Sequence, residues 1–294
     1  MTLFQAIILG IVQGLTEFIP ISSTAHLVFA SRALGLYNGV DAVLRAEQTT
    51  ATIAVVQLGT LLAVLIFFAR DIANITQAFV GDHLAMIKPA DKGRAPGLSQ
   101  QALLGWLVII GSVPVAVVGL LFKKQIEGTF TKNLWVIATM MIVIAIFLSL
   151  AEMVGKRNRS MADLGVGDAL AVGFAQCLAL IPGSSRSGST IMAGLFAGEM
   201  RETAARFSFL LSMPAILASG LLELKEAIHK LPAGSYGSLV VATIVSGIIG
   251  YASIWFLLRY LRTHSTGVFI AYRLVIGSAI LIALFSGHLS AAVK

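Results

Sequence analysis

Gln13 and Glu17 stand four residues apart, and Ser23 and His26 three apart, on either side of Pro20. Residues at these spacings share a helix face. The pattern predicts one helix presenting an amide and a carboxylate, ended by Pro20, and a second presenting a hydroxyl and an imidazole, with Ser22 or Ser23 at its cap. Carboxylate, hydroxyl and imidazole in one stretch are the ingredients of nucleophilic and acid–base chemistry. A second stretch, Pro182-Gly183-Ser184-Ser185-Arg186-Ser187-Gly188-Ser189-Thr190, carries different chemistry. Glycine permits close backbone approach, serines supply donors, and a helix start offers free N–H groups with partial positive charge. Arg186 adds a planar fork matched to phosphate oxygens, and Thr190 lies one turn further on the same face. This is the composition of an anion cradle. A phosphate or diphosphate satisfies it, and a neutral solute leaves its donors unsatisfied.

The two stretches resemble each other. Gln13 matches Gln176, and with one gap Pro20 matches Pro182, each proline followed by a Ser-Ser pair. Both lie in an oily chain of 294 residues, 57% hydrophobic and 12% charged, with a mean hydropathy of +0.90. That balance excludes an ordinary soluble domain. The net charge of +7 belongs in such a chain to loops near lipid headgroups rather than to a nucleic-acid site. A single cysteine, Cys177, rules out an intramolecular disulfide. The first residues lack a basic region, and Gln13 and Glu17 interrupt the apolar run, so no cleavable signal peptide is expected.

A helix crosses the hydrocarbon core with roughly 20 apolar residues. Six stretches qualify, about 51–69, 103–122, 134–151, 207–224, 238–258 and 268–286. Two more, 3–36 and 167–199, are broken by proline, serine and charge after about 15 residues, too short to span. They read as re-entrant hairpins, tolerated where protein or a water-filled cavity covers the exposed backbone. Three spans follow each hairpin, so the second enters from the opposite side. The expected fold is therefore all-α and polytopic, an inverted-topology repeat of about 1–152 and 160–294 in one membrane domain covering 1–294. Basic residues lean toward a cytoplasmic 70–102 loop: Arg70, Lys88, Lys92, Arg94, Lys156, Arg157, Arg159, Arg201, Arg206, Arg259 and Arg262 fall on that side. Arg32, Arg45, Lys123, Lys124, Lys132, Lys225, Lys230 and Lys294 fall on the other. Pro89, Gly93, Pro96 and Gly97 make 81–100 a flexible cytoplasmic loop.

A carboxylate at membrane depth needs a cation, and Arg186, in the matching turn of the second hairpin, is the natural partner of Glu17. Plainer roles compete. Ser22, Thr24, Ser187 and Ser189 suit close helix packing, and Gln13 and Gln176 suit loop carbonyls. Arg273, inside the last span, suits either an anchor for the hairpins or a phosphate contact, and anchoring is favoured. His83, His229, His264 and His288 lie in loops or at helix ends.

Gln13-x-x-x-Glu17, Pro20-Ile-Ser22-Ser23-Thr24-Ala-His26 and the Pro182–Thr190 run resemble the undecaprenyl-diphosphate phosphatase family, the bacitracin resistance proteins, over essentially the whole chain. Val56-Gln57-Leu58-Gly59 and Phe207-Ser208-Phe209-Leu210-Leu211 look like further signatures. Some members carry a glutamate about four residues before the glutamine matching Gln57. Here Ile53 stands there and takes no role. The resemblance implies an enzyme of the bacterial inner membrane that removes the terminal phosphate of undecaprenyl diphosphate. The released carrier lipid serves peptidoglycan assembly, and bacitracin tolerance follows. It also implies an outward-facing site, periplasmic where there is an outer membrane, and dependence on a divalent cation. A homodimer is compatible with it.

On that reading Ser23 attacks phosphorus with His26 as general base, or His26 is itself the nucleophile. Arg186, Ser185, Ser187, Thr190 and Ser22 hold phosphate oxygens. Glu17, with Gln13, binds Mg²⁺ or Ca²⁺ or activates water. The residues lack the ligand set of a catalytic zinc site. The rival from another class is a transporter or flippase for a phosphate-bearing lipid or anion, since inverted broken helices build many carriers. Transport alone does not require a serine and a histidine beside a glutamate, which favours the enzyme. A type-2 phosphatidate phosphatase is a weaker rival, its lysine, arginine and two-histidine set being absent here.

Overall fold

The computed structural model describes residues 1–87, 97–122, 133–231 and 233–291. Regular structure among them is helical: α1 (Leu3–Phe18), α2 (Ser23–Ala33), α3 (Ala42–Phe67), α4 (Ala69–Ile87), α5 (Gln100–Leu121) and α6 (Leu134–Val154) precede α7 (Val166–Cys177), α8 (Arg186–Phe196), α9 (Arg201–Lys230), α10 (Tyr236–Leu261) and α11 (Gly267–Phe285). Five are long and apolar enough to cross a membrane: α3, α5, α6, α10 and α11. The spans expected at 51–69, 103–122, 134–151, 238–258 and 268–286 fall on them. The stretch 207–224 lies within α9, a helix of 30 residues, part of whose side chains are outside the described set.

One expectation needs correction. The segment 70–102 is not simply a loop, because α4 (Ala69–Ile87) runs through it as far as Ile87. The chain breaks at Phe68 and resumes as an amphipathic helix, in which Ile75 and Phe79 face Gly105 of α5 and His83 accepts from the Trp106 indole at 3.1 Å. Glycine and proline further along hid that periodicity. Lys88, Pro89, Lys92, Gly93, Arg94, Pro96, Lys123, Lys124, Lys132 and Lys294 lie outside the described residues, as do the side chains of Lys225, His229 and Lys230.

The internal repeat is closer than the sequence alignment suggested. Leu3 and Val166 open the first helix of each unit, Ser23 and Arg186 open the second, and Ala33 and Phe196 close it, at a constant offset. No gap is needed: Gln13 matches Gln176 and the cap residues are Ser22 and Ser185. The prolines instead sit one residue apart in register.

The same offset relates the bonds that close each unit. The Gln5 side chain accepts from the Thr2 amide at 2.8 Å and donates to the Leu34 carbonyl at 2.8 Å, joining the start of α1 to the end of α2. Asp168 takes the matching place, accepting from the Gly165 amide at 2.8 Å and pairing with Arg159, which donates to the Ala197 carbonyl at 3.0 Å. Glycines serve both packings. A Cβ at Gly10 would stand 2.6 Å from the Ala242 carbonyl of α10, and one at Gly173 would collide with the Gly111 carbonyl of α5. Small residues let helix backbones approach this closely without a water-driven core.

Loops gather at two ends. Ser238 donates to the Met1 carbonyl at 3.0 Å, and Met1, Tyr37 and Val55 pack with Ala51, Leu231 and Leu239. At the other end Glu152 of α6 receives Arg157, Arg201 and the Thr266 amide and hydroxyl, and Gln100 donates to the Met161 carbonyl. Between the ends lies an apolar core around Phe18, Phe68 and Phe209, whose rings meet edge to face or tilted.

Candidate active site

Each unit breaks in the same way. After α1, Ile19 is extended, and Ser22 enters α2 with φ 78°. After α7 the chain tightens through Leu178–Leu180, turns at Gly183 (φ 92°), and Ser185 enters α8 with φ 68°. Positive φ at a non-glycine residue costs of the order of 1–3 kcal/mol and persists where its surroundings over-determine it. Arg273 of α11 supplies the surroundings. Its guanidinium, fully buried, donates to the Pro20 carbonyl (3.2 Å) of the first turn and to the Gly183 and Ser184 carbonyls (both 3.0 Å) of the second. It also reaches the Met140 and Met141 carbonyls of α6. Carbonyls released by a broken helix are costly away from water, and one fixed fork satisfies those of both turns. The anchoring role is therefore the one the geometry shows.

Glu17, at the end of α1, meets Arg186, the first residue of α8, at 2.5 Å. Its other carboxylate oxygen accepts from the Gln13 amide at 3.0 Å, as four-residue spacing on one face predicts. That amide also donates to Thr60 of α3 at 3.3 Å. Gln13 Oε1 is buried with no hydrogen-bond partner. The ion pair joins the two units, and each partner keeps only a small exposed fraction. Removing one partner of such a pair strands the other charge, at a cost of about 3–5 kcal/mol.

The helix starts present donors. Ser185 caps α8 by accepting from the Gly188 amide at 3.2 Å and bonds Ser187 at 3.2 Å, while Ser189 N–H reaches the Ser185 carbonyl. The amides of Arg186 and Ser187, first in the helix, have no acceptor within it. At α2, Ser22 holds the cap position without a side-chain capping bond, and its hydroxyl is buried and unpartnered. Ser23 and Thr24 stay accessible there.

Two expected contacts take a different form. Thr190 faces away from the cradle: buried, it bonds Ser208 of α9 at 2.5 Å and the Arg186 carbonyl at 2.8 Å, because α9 packs against that face of α8. Its hydroxyl braces the helix that carries Arg186. His26 does not bond Ser23. Its Nδ1 meets the Ser22 carbonyl at 2.7 Å and its Nε2 meets the Tyr272 hydroxyl of α11 at 2.6 Å. The shared face places Ser23 and His26 side by side, but the backbone break draws the ring toward Ser22 and the last helix.

Among the described residues no group of three or more His, Cys, Asp or Glu is placed to hold a metal ion. Gln13 Oε1 is nevertheless a buried oxygen without a hydrogen-bond partner, on the side chain whose amide bonds Glu17. One carboxylate plus phosphate oxygens is a common environment for Mg²⁺. Here both Glu17 oxygens already accept, from Arg186 and from the Gln13 amide, so an ion would take the place of one of those donors.

The family model described as bacitracin resistance protein BacA matches residues 6–279. The chain belongs to the bacitracin resistance protein BacA family. Relatives named undecaprenyl-diphosphatase come from Syntrophobacter fumaroxidans (50% identical, over 97% of this chain and 98% of that one), Chlorobium phaeobacteroides (47%, over 99% and 100%) and Chlorobaculum tepidum (45%, over 98% and 99%). Within this BacA-family chain, sequence reasoning missed Tyr272, Thr60, the contact that Ser208 of the Phe207–Leu211 signature makes with Thr190, and the closing pair Gln5 and Asp168. Tyr272, Thr60 and Ser208 lie on apolar helices far along the chain, where no spacing links them to the turns. Gln5 and Asp168 carried a readable signal, each standing three residues after a helix cap.

Proposed function

We propose that this protein hydrolyses undecaprenyl diphosphate to undecaprenyl phosphate and inorganic phosphate. The observation that carries the reading is the Glu17–Arg186 pair beside two helix starts whose turns share one buried arginine. An anionic diphosphate entering there meets Arg186, the free amides of α8 and the hydroxyls of Ser185 and Ser187, which hold its oxygens as charge redistributes. Ser22 adds a hydroxyl from the other turn. Ser23 Oγ attacks the terminal phosphorus, its proton passes to His26, and the bond to the bridging oxygen breaks, freeing the lipid monophosphate. Water then hydrolyses the phosphoserine. A divalent cation, Mg²⁺ or Ca²⁺, would be held by Glu17 and Gln13 and would supply charge neutralisation at the phosphate oxygens.

The same reading places the site in a bacterial inner membrane, facing the extracytoplasmic side, within six spans and two re-entrant hairpins of opposite entry. The bonds Gln5–Leu34 and Asp168–Arg159–Ala197 support it, since each broken unit returns to the end where it began, and the two units close at different ends.

The test uses purified protein in detergent with a prenyl diphosphate, with and without EDTA. The reading expects phosphate release that stops with the chelator and returns with Mg²⁺ or Ca²⁺. No release under any metal condition, with anion flux in liposomes, would overturn it in favour of a transporter.

A further inference from the structure

The bond between His26 and Tyr272 assigns protons. A carbonyl oxygen accepts only, so the contact to Ser22 requires the hydrogen of the neutral ring on Nδ1. Nε2 then carries the lone pair, and the Tyr272 hydroxyl at 2.6 Å donates to it. The ring planes are also near-parallel, within 16°, with centroids 5.6 Å apart. Both ring nitrogens of the imidazole are thereby held, one by the first turn and one by the last helix. Tyr272 immediately precedes Arg273, so two adjacent residues of α11 serve the site, one fastening the two turns and the other holding the histidine beside them.

We infer that Tyr272 is a positioning residue for His26, holding the ring beside the first turn and keeping Nε2 free of a proton until the reaction delivers one. The inference rests on the reading of His26 as the base for Ser23. In the step concerned, the Ser23 oxygen–phosphorus bond forms and the bond from phosphorus to the bridging oxygen breaks. The Ser23 proton moves to Nε2, and the electron pair of the broken bond leaves with the lipid monophosphate. Nε2 cannot take that proton while accepting from tyrosine, so the phenol rotates its hydrogen away as the proton arrives. A phenol both donates and accepts, and its oxygen then receives the new N–H. Tyrosine thus has a partner in both states of the ring, and phenylalanine in neither.

The experiment compares Tyr272→Phe, His26→Asn and the double variant, by phosphate release from a prenyl diphosphate between pH 5 and 9. Tyr272→Phe keeps the aromatic ring and its packing, so its melting midpoint in detergent and its KM should match the parent protein. Its kcat should fall about 10-fold, a fraction of what a general base contributes, and the acid limb of its kcat/KM profile should be displaced. Arg273, whose charge also acts on His26, is unchanged in that variant, so a displaced limb reports the hydroxyl. In the His26→Asn background the Tyr272→Phe change should have no further effect. An unmoved limb, an unchanged kcat, or a full second penalty on top of His26→Asn would overturn the inference. Wild-type turnover in His26→Asn would overturn both the inference and the role of His26. Absence of turnover in the parent protein would overturn the phosphatase reading itself.

Discussion

Arg186, partly exposed, and Arg273, fully buried, belong to the same site, yet their surroundings assign them different work. Arg186 opposes one carboxylate and stands at a helix start, so its charge has a free side for a ligand. Arg273 spends its donors on five carbonyls from three separate segments. Arg186→Lys keeps the charge but loses the planar fork. Phosphate release should fall roughly 100-fold while the melting midpoint in detergent moves by only a few degrees. Arg273→Ala leaves the carbonyls of both turns without a donor, and it should lose folded protein before turnover can be measured. The pair of assays separates grip from anchor. Wild-type release from Arg186→Lys would remove the forked contact from the mechanism.

In the second unit, the loop between α8 and α9 contains a charge problem that the first unit lacks. Glu199 is fully buried, neither carboxylate oxygen has a partner, and Gly194 leaves room for it where a Cβ would stand 2.6 Å away. Burial and the neighbouring Asp168 charge push its carboxyl up from 4.5 to about 7, against the opposing pull of Arg159. The folded chain therefore keeps a proton that the unfolded chain releases between about 4.5 and 7. The resulting stability is complete below pH 4.5 and is lost as pH rises through 7, a difference of the order of 3 kcal/mol. Melting midpoints in detergent should fall from pH 5 to pH 8 for the parent protein, and Glu199→Gln should flatten that slope and melt higher at pH 8. Parallel slopes would show that Glu199 is already ionised in the fold. In the first unit the closing bond at Gln5 is neutral, so no matching pH term is expected from that end.

For the molecule as a whole, two broken units in one register have to share a centre. Gly10 and Gly173 bring the first helix of each unit onto α10 and α5, and Arg273 ties both turns to α6 and α11. If the units enter from opposite sides, residues near their closing ends are reached by water from opposite sides too. With Cys177 replaced by alanine, single cysteines at Asn38 and Asn158 should react with a membrane-impermeant maleimide from opposite faces of sealed vesicles. Labelling of both from one face would exclude the inverted arrangement. The Glu152 network, which gathers Arg157, Arg201 and Thr266, lies at the Asn158 end and should be protected with it.

Much of this was legible in the residue order, because hydropathy and helix period are local quantities. The oily composition, the five helices long and apolar enough to cross a membrane, the two interrupted segments and the partnership of Glu17 with Arg186 all follow from short-range spacing and the cost of a lone charge in lipid. The 69–87 helix was misread because nearby proline and glycine outweighed a modest amphipathic pattern. The true register of the repeat was hidden too, since the eye aligns prolines while the fold aligns helix caps. Tertiary structure alone decided which way the side chains turn at the break. Thr190 faces Ser208, His26 faces Tyr272, and Arg273 binds carbonyls rather than a phosphate. Those choices depend on helices more than a hundred residues away or packed from the far side. No period along the chain encodes the direction of a neighbour that only folding brings near.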